Sequence, residues 1–432
     1  MEVRRARKGD CLLLHFGSKD DPGLVMIDGG PKKVYKPHLR PRLQEMKTTR
    51  GLADEESLPV DLLMVSHVDD DHIQGILELT SELIEAQREH QPPLVQVLSF
   101  WHNSFDDIIG HKPEELTAAF RSQFGTAATS GELPEDADIE IDAPGGDLTE
   151  EVVVDNLKVL ASIEQGYQLR IDAERLDFPR NPEFDGKLII ASRDATNVDL
   201  GRGLTFTVAG PMKREVEALR KKHDQWLRDL KAKGKSPPQA LAAYLDKSVP
   251  NLSSLVLVAE VQGKRMLLTG DARGDMIIQG LQLVGLLNEG DRSTMHVDIL
   301  KVPHHGSSNN LERDFFERIT ADHYVFSGDG EHGNPEREAL EMLLDARGRA
   351  DFTVHLTYPV KDIDAGREED WQKEQGKEAN RKKPGATVRP DWSPKKQSLA
   401  ALFAARRFPN DKLRIVDAEA PHIIDLLDPP DF

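Results

Sequence analysis

Ser66-His67-Val68-Asp69-Asp70-Asp71-His72 follows directly on the strand-like run Leu62-Leu63-Met64-Val65. Four candidate metal ligands, His67, Asp69, Asp71 and His72, therefore fall within six residues at the end of a strand. Three consecutive carboxylates repel one another unless a cation neutralises them or water reaches them. The flanking imidazoles favour zinc or a transition metal, because calcium and magnesium prefer all-oxygen sites. A solvated acidic turn capping a helix is the competing reading of the same residues.

The surrounding pattern is that of an α/β protein. Leu12 to Phe16 and Leu24 to Ile27 read as two strands, the second ending in Asp28-Gly29-Gly30. Asp28 there suits either the orientation of a metal ligand or an Asx turn. Residues 31–59 are basic and contain prolines, and read as a loop or partly ordered insertion. From Ile73 the apolar positions Ile73, Ile76, Leu77, Leu83 and Ile84 follow a helical period to about Arg88, which puts the acidic cluster on a strand-to-helix loop. Further strands are predicted at 94–100, 188–190, 204–208, 254–260, 266–269, 297–302, 323–327 and 352–356, with a Gln262-Gly263 hairpin turn. Residues 111–186 and 211–250 read as insertions, the second including a charged helix from Lys213 to about Lys233. Residues 358–432 read as a charged linker with a small C-terminal extension.

Composition restricts the function classes. The net charge of −19 repels nucleic acid and anionic membrane in bulk, which disfavours a passive polyanion binder. Bound cations invert the local charge of a site, so a metal-dependent enzyme acting on a phosphodiester stays compatible with that total. No stretch approaches the ~20 apolar residues that span a bilayer, so membrane insertion is not expected, and the first residues lack the apolar segment of a signal peptide. A single cysteine, Cys11, leaves no internal disulfide and favours a cytoplasmic setting.

Two more strand ends carry ligand-type residues: Asp271 in Thr269-Gly270-Asp271-Ala272, and the pair His304-His305 in Pro303-His304-His305-Gly306-Ser307. Open sheets collect such loops at one edge whatever their separation in sequence. Alone, Thr-Gly-Asp reads as a turn and His-His as a cap. Together and in this order they suit a pair of divalent ions sharing a carboxylate.

With Gly9-Asp10 and Lys301-Val302, these motifs make residues 1–357 resemble a metallo-β-lactamase-fold hydrolase, and within that group the ComEC-like hydrolase domain and its stand-alone relatives. The resemblance implies an αββα four-layer sandwich and two metal ions, zinc or manganese. His67 and Asp69 would hold the first ion, Asp71 and His72 the second, and Asp271 would bridge them. His305 is the preferred completing ligand of the second site, with His304 as the alternative, or as a phosphate contact or proton donor. The wider family has a histidine where Asp69 stands. It also carries an outer histidine between the first motif and the bridging aspartate, whereas the corresponding strand here ends Val208-Ala209-Gly210-Pro211. His102 is a weak substitute. Asp71 carries a catalytic role on this reading, His332 is a candidate general acid, and Lys301 a candidate phosphate contact. The implied function is phosphodiester hydrolysis by metal-activated water, on nucleic acid or on a small nucleotide. A partner protein is admitted, and lactone or ester hydrolysis and an inactive binding module are the alternatives.

Overall fold

The computed structural model describes residues 1–104, 107–108, 150–194, 197–233, 253–290, 292–380, 387–417 and 420–427. The expected insertions therefore lie outside the described residues over 111–149 and 234–250. Among the described residues the strands form a six-stranded sheet, an eight-stranded sheet and a two-stranded pair. The six-stranded sheet runs in the order His422–Ile423, Glu2–Val3, Leu12–Gly17, Pro22–Ile27, Leu62–Met64, Phe100–Trp101. The eight-stranded sheet runs Leu413–Ile415, Thr353–Leu356, Ile319–Phe326, Met295–Lys301, Lys264–Leu268, Val256–Val261, Thr205–Gly210, Asn197–Asp199.

Alternation along the strands divides the apolar residues between two cores. Leu12, Leu14, Val25, Ile27, Leu62 and Met64 join Phe206, Val208, Leu257 and Ala259 of the other sheet in one buried core. Their neighbours Leu13, Leu24, Met26 and Leu63 turn to the opposite face and meet Ile73, Ile76, Leu79 and Leu83 of the helix Asp70–Glu89. That helix lies close on the sheet because two glycines meet: a Cβ on Gly75 would stand 2.0 Å from the Gly29 carbonyl oxygen. In the large sheet the block from Lys264 to Ile415 is parallel, with helices Gly274–Leu283, Arg313–Arg318 and Arg337–Arg347 in the crossovers. Its loops after Leu268, Lys301 and Phe326 thus emerge at one edge.

Several expectations are corrected. Residues 31–59 are largely structured: Leu39, Leu43 and Met46 form a buried stripe on a helical segment that contains Arg40–Thr49, and Leu58–Val60 is a strand. Leu188-Ile189-Ile190 is not a strand, because the Asn103 side-chain amide satisfies both the N–H and the carbonyl of Ile189 at 2.9 and 2.8 Å. The 94–100 strand is two: Val95–Val97 pairs with Leu58–Val60, and Phe100–Trp101 moves to the six-stranded sheet beside Leu62–Met64. The charged 360–380 stretch, for which a loop and an exposed helix are both open in sequence, is the helix Val360–Asn380, seated through Ile363 and Arg367. Leu413–Ile415 and His422–Ile423 add an edge strand to each sheet, pairs too short to show a period in sequence. No described helix is long and apolar enough to cross a membrane.

Where the C-terminal strand reaches the large sheet, three histidines are in line. His323 Nδ1 lies 3.0 Å from His355 Nε2, and His355 Nδ1 lies 2.8 Å from His422 Nε2. Burial, helped by the neighbouring imidazoles and Arg414, pushes His355 down to about 3. An imidazole neutral in the fold but protonating near 6.5 when unfolded makes the unfolded state bind more protons between those values. Stability contributed by this residue is thus complete at neutral pH and declines as pH falls below about 6.5, by up to ~1.4 kcal/mol per pH unit. His355→Leu is expected to shrink the loss of urea midpoint between about pH 7.5 and about pH 5; an unchanged loss would show that this imidazole does not contribute to it.

Candidate metal centre

The motif loops meet at the edge where strands Pro22–Ile27, Leu62–Met64, Lys264–Leu268 and Met295–Lys301 end. Asp69 caps the helix Asp70–Glu89 in extended conformation, so Asp70 and Asp71 occupy its first turn, near the positive end of the helix dipole. The Gly9 loop lies directly on this turn: a Cβ there would stand 1.8 Å from the Asp71 carbonyl oxygen.

Asp271 is at the centre, 2% exposed. Its Oδ1 is 3.3 Å from His72 Nε2 and 3.4 Å from His305 Nε2. Its Oδ2 is 3.6 Å from His67 Nε2 and 3.5 Å from His304 Nε2. His72 and His305 turn their Nε2 atoms toward one another at 3.2 Å, with Asp71 Oδ2 3.3 Å from His305 Nε2. Asp69 Oδ2 lies 3.6 Å from His67 Nε2. The sequence-predicted ligands His67, Asp69, Asp71, His72, Asp271 and His305 are therefore brought together, and His304 with them.

The far ring nitrogens are tied down. Asp28 accepts from the Ser66 N–H at 2.7 Å and the Ser66 hydroxyl at 2.6 Å, and its Oδ2 lies 2.8 Å from His72 Nδ1. It orients the His72 ring, and it does so from a left-handed backbone, φ 58°. His305 Nδ1 meets the Ser327 hydroxyl at 2.8 Å and Asp10 Oδ1 at 3.6 Å. These contacts direct both Nε2 atoms inward, as outer partners of metal-binding histidines do.

Burial alone would keep Asp271 protonated, but His305, His304, His72 and His67 outweigh it and hold its carboxyl well below the usual range. Burial likewise opposes charge on His72 and His305, yet Asp271, with Asp28 and Asp71 beside His72 and Asp10 beside His305, raises both above the ordinary imidazole value. Even so, His67 Nε2 and Asp271 Oδ1 are buried with no hydrogen-bond partner. Such orphaned atoms are costly in an interior. Two sets of donor atoms, from Asp10, His72, Asp271 and His305 and from His67, Asp71 and His72, lie within 4.8 Å of one another, a spacing that could hold a metal ion. Asp10 faces Nδ1 of His305, away from the shared point of the Nε2 atoms, and therefore fits an orienting role.

Two further predicted site residues are seen with other partners. Lys301 is only 1% exposed and pairs with Asp10, Nζ to Oδ2 at 2.7 Å. It neutralises the carboxylate under His305 and is not placed to touch a substrate. His332 is on the Glu331–Gly333 turn, its side chain 52% exposed, with Nε2 3.8 Å from Glu331. Glu331 also binds Arg7 at 3.2 Å and Lys8 at 3.1 Å, and Lys8 is close enough to Asp70 and Asp71 to feel their charge. His102 is buried with Nε2 3.3 Å from the Gly166 carbonyl. Sequence reasoning assigned no role to Asp10, Ser66 or Ser327. Gly9-Asp10 directly before a strand was the one usable signal for them.

No established family profile matches the chain. A short stretch is 33% identical over 81 residues to microtubule-associated protein 1A of Rattus norvegicus, covering 18% of this chain and 3% of that protein. Another match is 42% identical over 53 residues to the microtubule-associated protein futsch of Drosophila melanogaster, covering 12% of this chain and 1% of that protein. The chain thus spans only these few per cent of the relatives' length.

The buried Asp10–Lys301 pair yields a stability test. Lys301→Met strands a carboxylate in the interior and is expected to cost about 3–5 kcal/mol by urea denaturation. Adding Asp10→Leu should recover much of that loss; a double variant as unstable as the sum of the two singles would contradict the coupling.

Proposed function

We propose that this chain is a metal-dependent hydrolase of the metallo-β-lactamase fold, an αββα sandwich related to the ComEC-like hydrolase domain, acting on phosphodiesters. The observation that carries this reading is the convergence of three motifs, far apart in sequence, on the buried Asp271 carboxylate. The donor set is mixed imidazole and carboxylate, which fits zinc or manganese. His67 and Asp69 would hold one ion, Asp71, His72 and His305 the other, and Asp271 would serve both.

Bound ions of this kind supply Lewis acidity and water of lowered pKa. The chain's own residues set up the reaction around that chemistry. Asp28 and Ser327 hold the ring planes of His72 and His305, so the donor atoms need no reorganisation when the substrate arrives. Asp69 and Asp71, at the solvent-facing side of the cluster with 27% and 20% side-chain exposure, can accept a proton from attacking water. Lys8 and Arg7 stand paired with Glu331, so their charge is met largely within the chain.

The charge distribution favours a small phosphodiester over a long polyanion. The chain carries −19 overall, and the early basic residues are engaged: Arg4 with Glu2, Arg5 with the Val416 carbonyl, Arg7 and Lys8 with Glu331. The short likeness to microtubule-associated proteins keeps a binding module as the competitor.

The test is a zinc- or manganese-supplemented screen of single-stranded DNA, duplex DNA, RNA, cyclic nucleotides and bis(p-nitrophenyl) phosphate, with Asp271→Ala as control. Turnover of a phosphodiester is expected, falling by roughly 100-fold or more in the variant. Cleavage of small diesters alone would select the nucleotide reading, and cleavage of polymers alone the nuclease. A protein that takes up neither metal and turns over nothing would return the reading to a binding module.

A further inference from the structure

We propose that His304 is the missing outer ligand of the first metal site, so that the histidine pair serves both ions, His304 one and His305 the other. The proposal rests on the two-metal reading above and assigns a residue which that reading leaves open.

Asp271 sorts the four imidazoles in pairs. Its Oδ1 faces His72 and His305, and its Oδ2 faces His67 and His304 at nearly equal distances, 3.6 and 3.5 Å. If Asp271 gave one oxygen to each ion, the residues facing the same oxygen would belong to the same site. His304 therefore sides with His67. Among the described residues the other candidates are removed by their positions. The strand Thr205–Gly210 carries no histidine, and His102 is engaged with the Gly166 carbonyl.

Neighbouring residues normally point apart, and it takes an unusual backbone to bring both imidazoles of a His-His pair to one carboxylate. His304 and His305 are both left-handed, at φ 47° and 53°. Two successive non-glycine residues in that region are strained, and the surroundings hold them in place: the His304 N–H donates to the Gly270 carbonyl at 3.1 Å, next to Asp271 itself. The two sites also differ in depth. His72 and His305 are sealed from solvent, whereas the His304 side chain is 27% exposed. The first site thus opens to solvent at His304 and Asp69, each 27% exposed in its side chain, while His67 is sealed.

The experiment titrates the metal-free full-length protein with Co²⁺, following visible absorption and bound stoichiometry. His304→Asn is the variant of choice, because asparagine tolerates the left-handed backbone that alanine would resist; an unchanged circular dichroism spectrum and thermal midpoint of the metal-free protein check that the loop is preserved. Wild type is expected to bind two equivalents. His304→Asn and His67→Asn should each keep one and weaken the other at least about tenfold, while His305→Asn should weaken the deeper one. Two equivalents of unchanged affinity in His304→Asn would overturn the proposal and leave the two-metal reading standing. No binding by wild type would overturn both.

Discussion

Like-charge repulsion at one sheet edge is the constraint around which this structure is arranged. Asp69, Asp71 and Asp271 present carboxylates to one small volume, and Asp271 is fully enclosed there. A buried carboxylate stays ionised only beside positive charge or strong donors. Around Asp271 that compensation comes from four imidazoles; one shell further out Asp28 faces His72 and Asp10 faces His305, and Lys301 in turn pairs with Asp10. The outer shell alternates in sign with the inner one, so the cluster is neutralised in layers.

The fold serves that arrangement through close backbone approaches. Gly29 against Gly75 and Gly9 against Asp71 let two loops and a helix end occupy space that any side chain would fill. The cost falls in strained positions: Asp28, His304 and His305 all sit at positive φ. Strain of this kind persists where the surrounding contacts over-determine it, and it gathers at functional sites. The same three residues orient or supply donor atoms at Asp271 and His72.

Much of this was legible in the linear chain, and the reason is local. Strands with a period of two and a helix with a period of 3.6 show themselves in apolar spacing, which located the hairpin at Gln262-Gly263 and the helix after His72. Ligand-type residues at strand ends were visible because their chemistry is carried by residue identity. What stayed hidden lacked a period or depended on a distant partner. Leu413–Ile415 and His422–Ile423 are too short to show alternation, and Ile189 looked like a strand residue although its partner is the Asn103 side chain. Lys301 read as a substrate contact because a lysine at a strand end is ordinarily exposed; its partner Asp10 stands 291 positions earlier, a separation at which sequence is silent.

The sequence by itself thus determined the inventory: which strand ends carry imidazole and carboxylate, and that the chain is α/β. Only the tertiary structure decided the grouping. It set His304 on the same oxygen of Asp271 as His67, buried Lys301 beneath His305, and set His332 beside Glu331 on an exposed turn. The physical reason is that residue type limits what a group can do, whereas distance, burial and backbone conformation decide which groups meet.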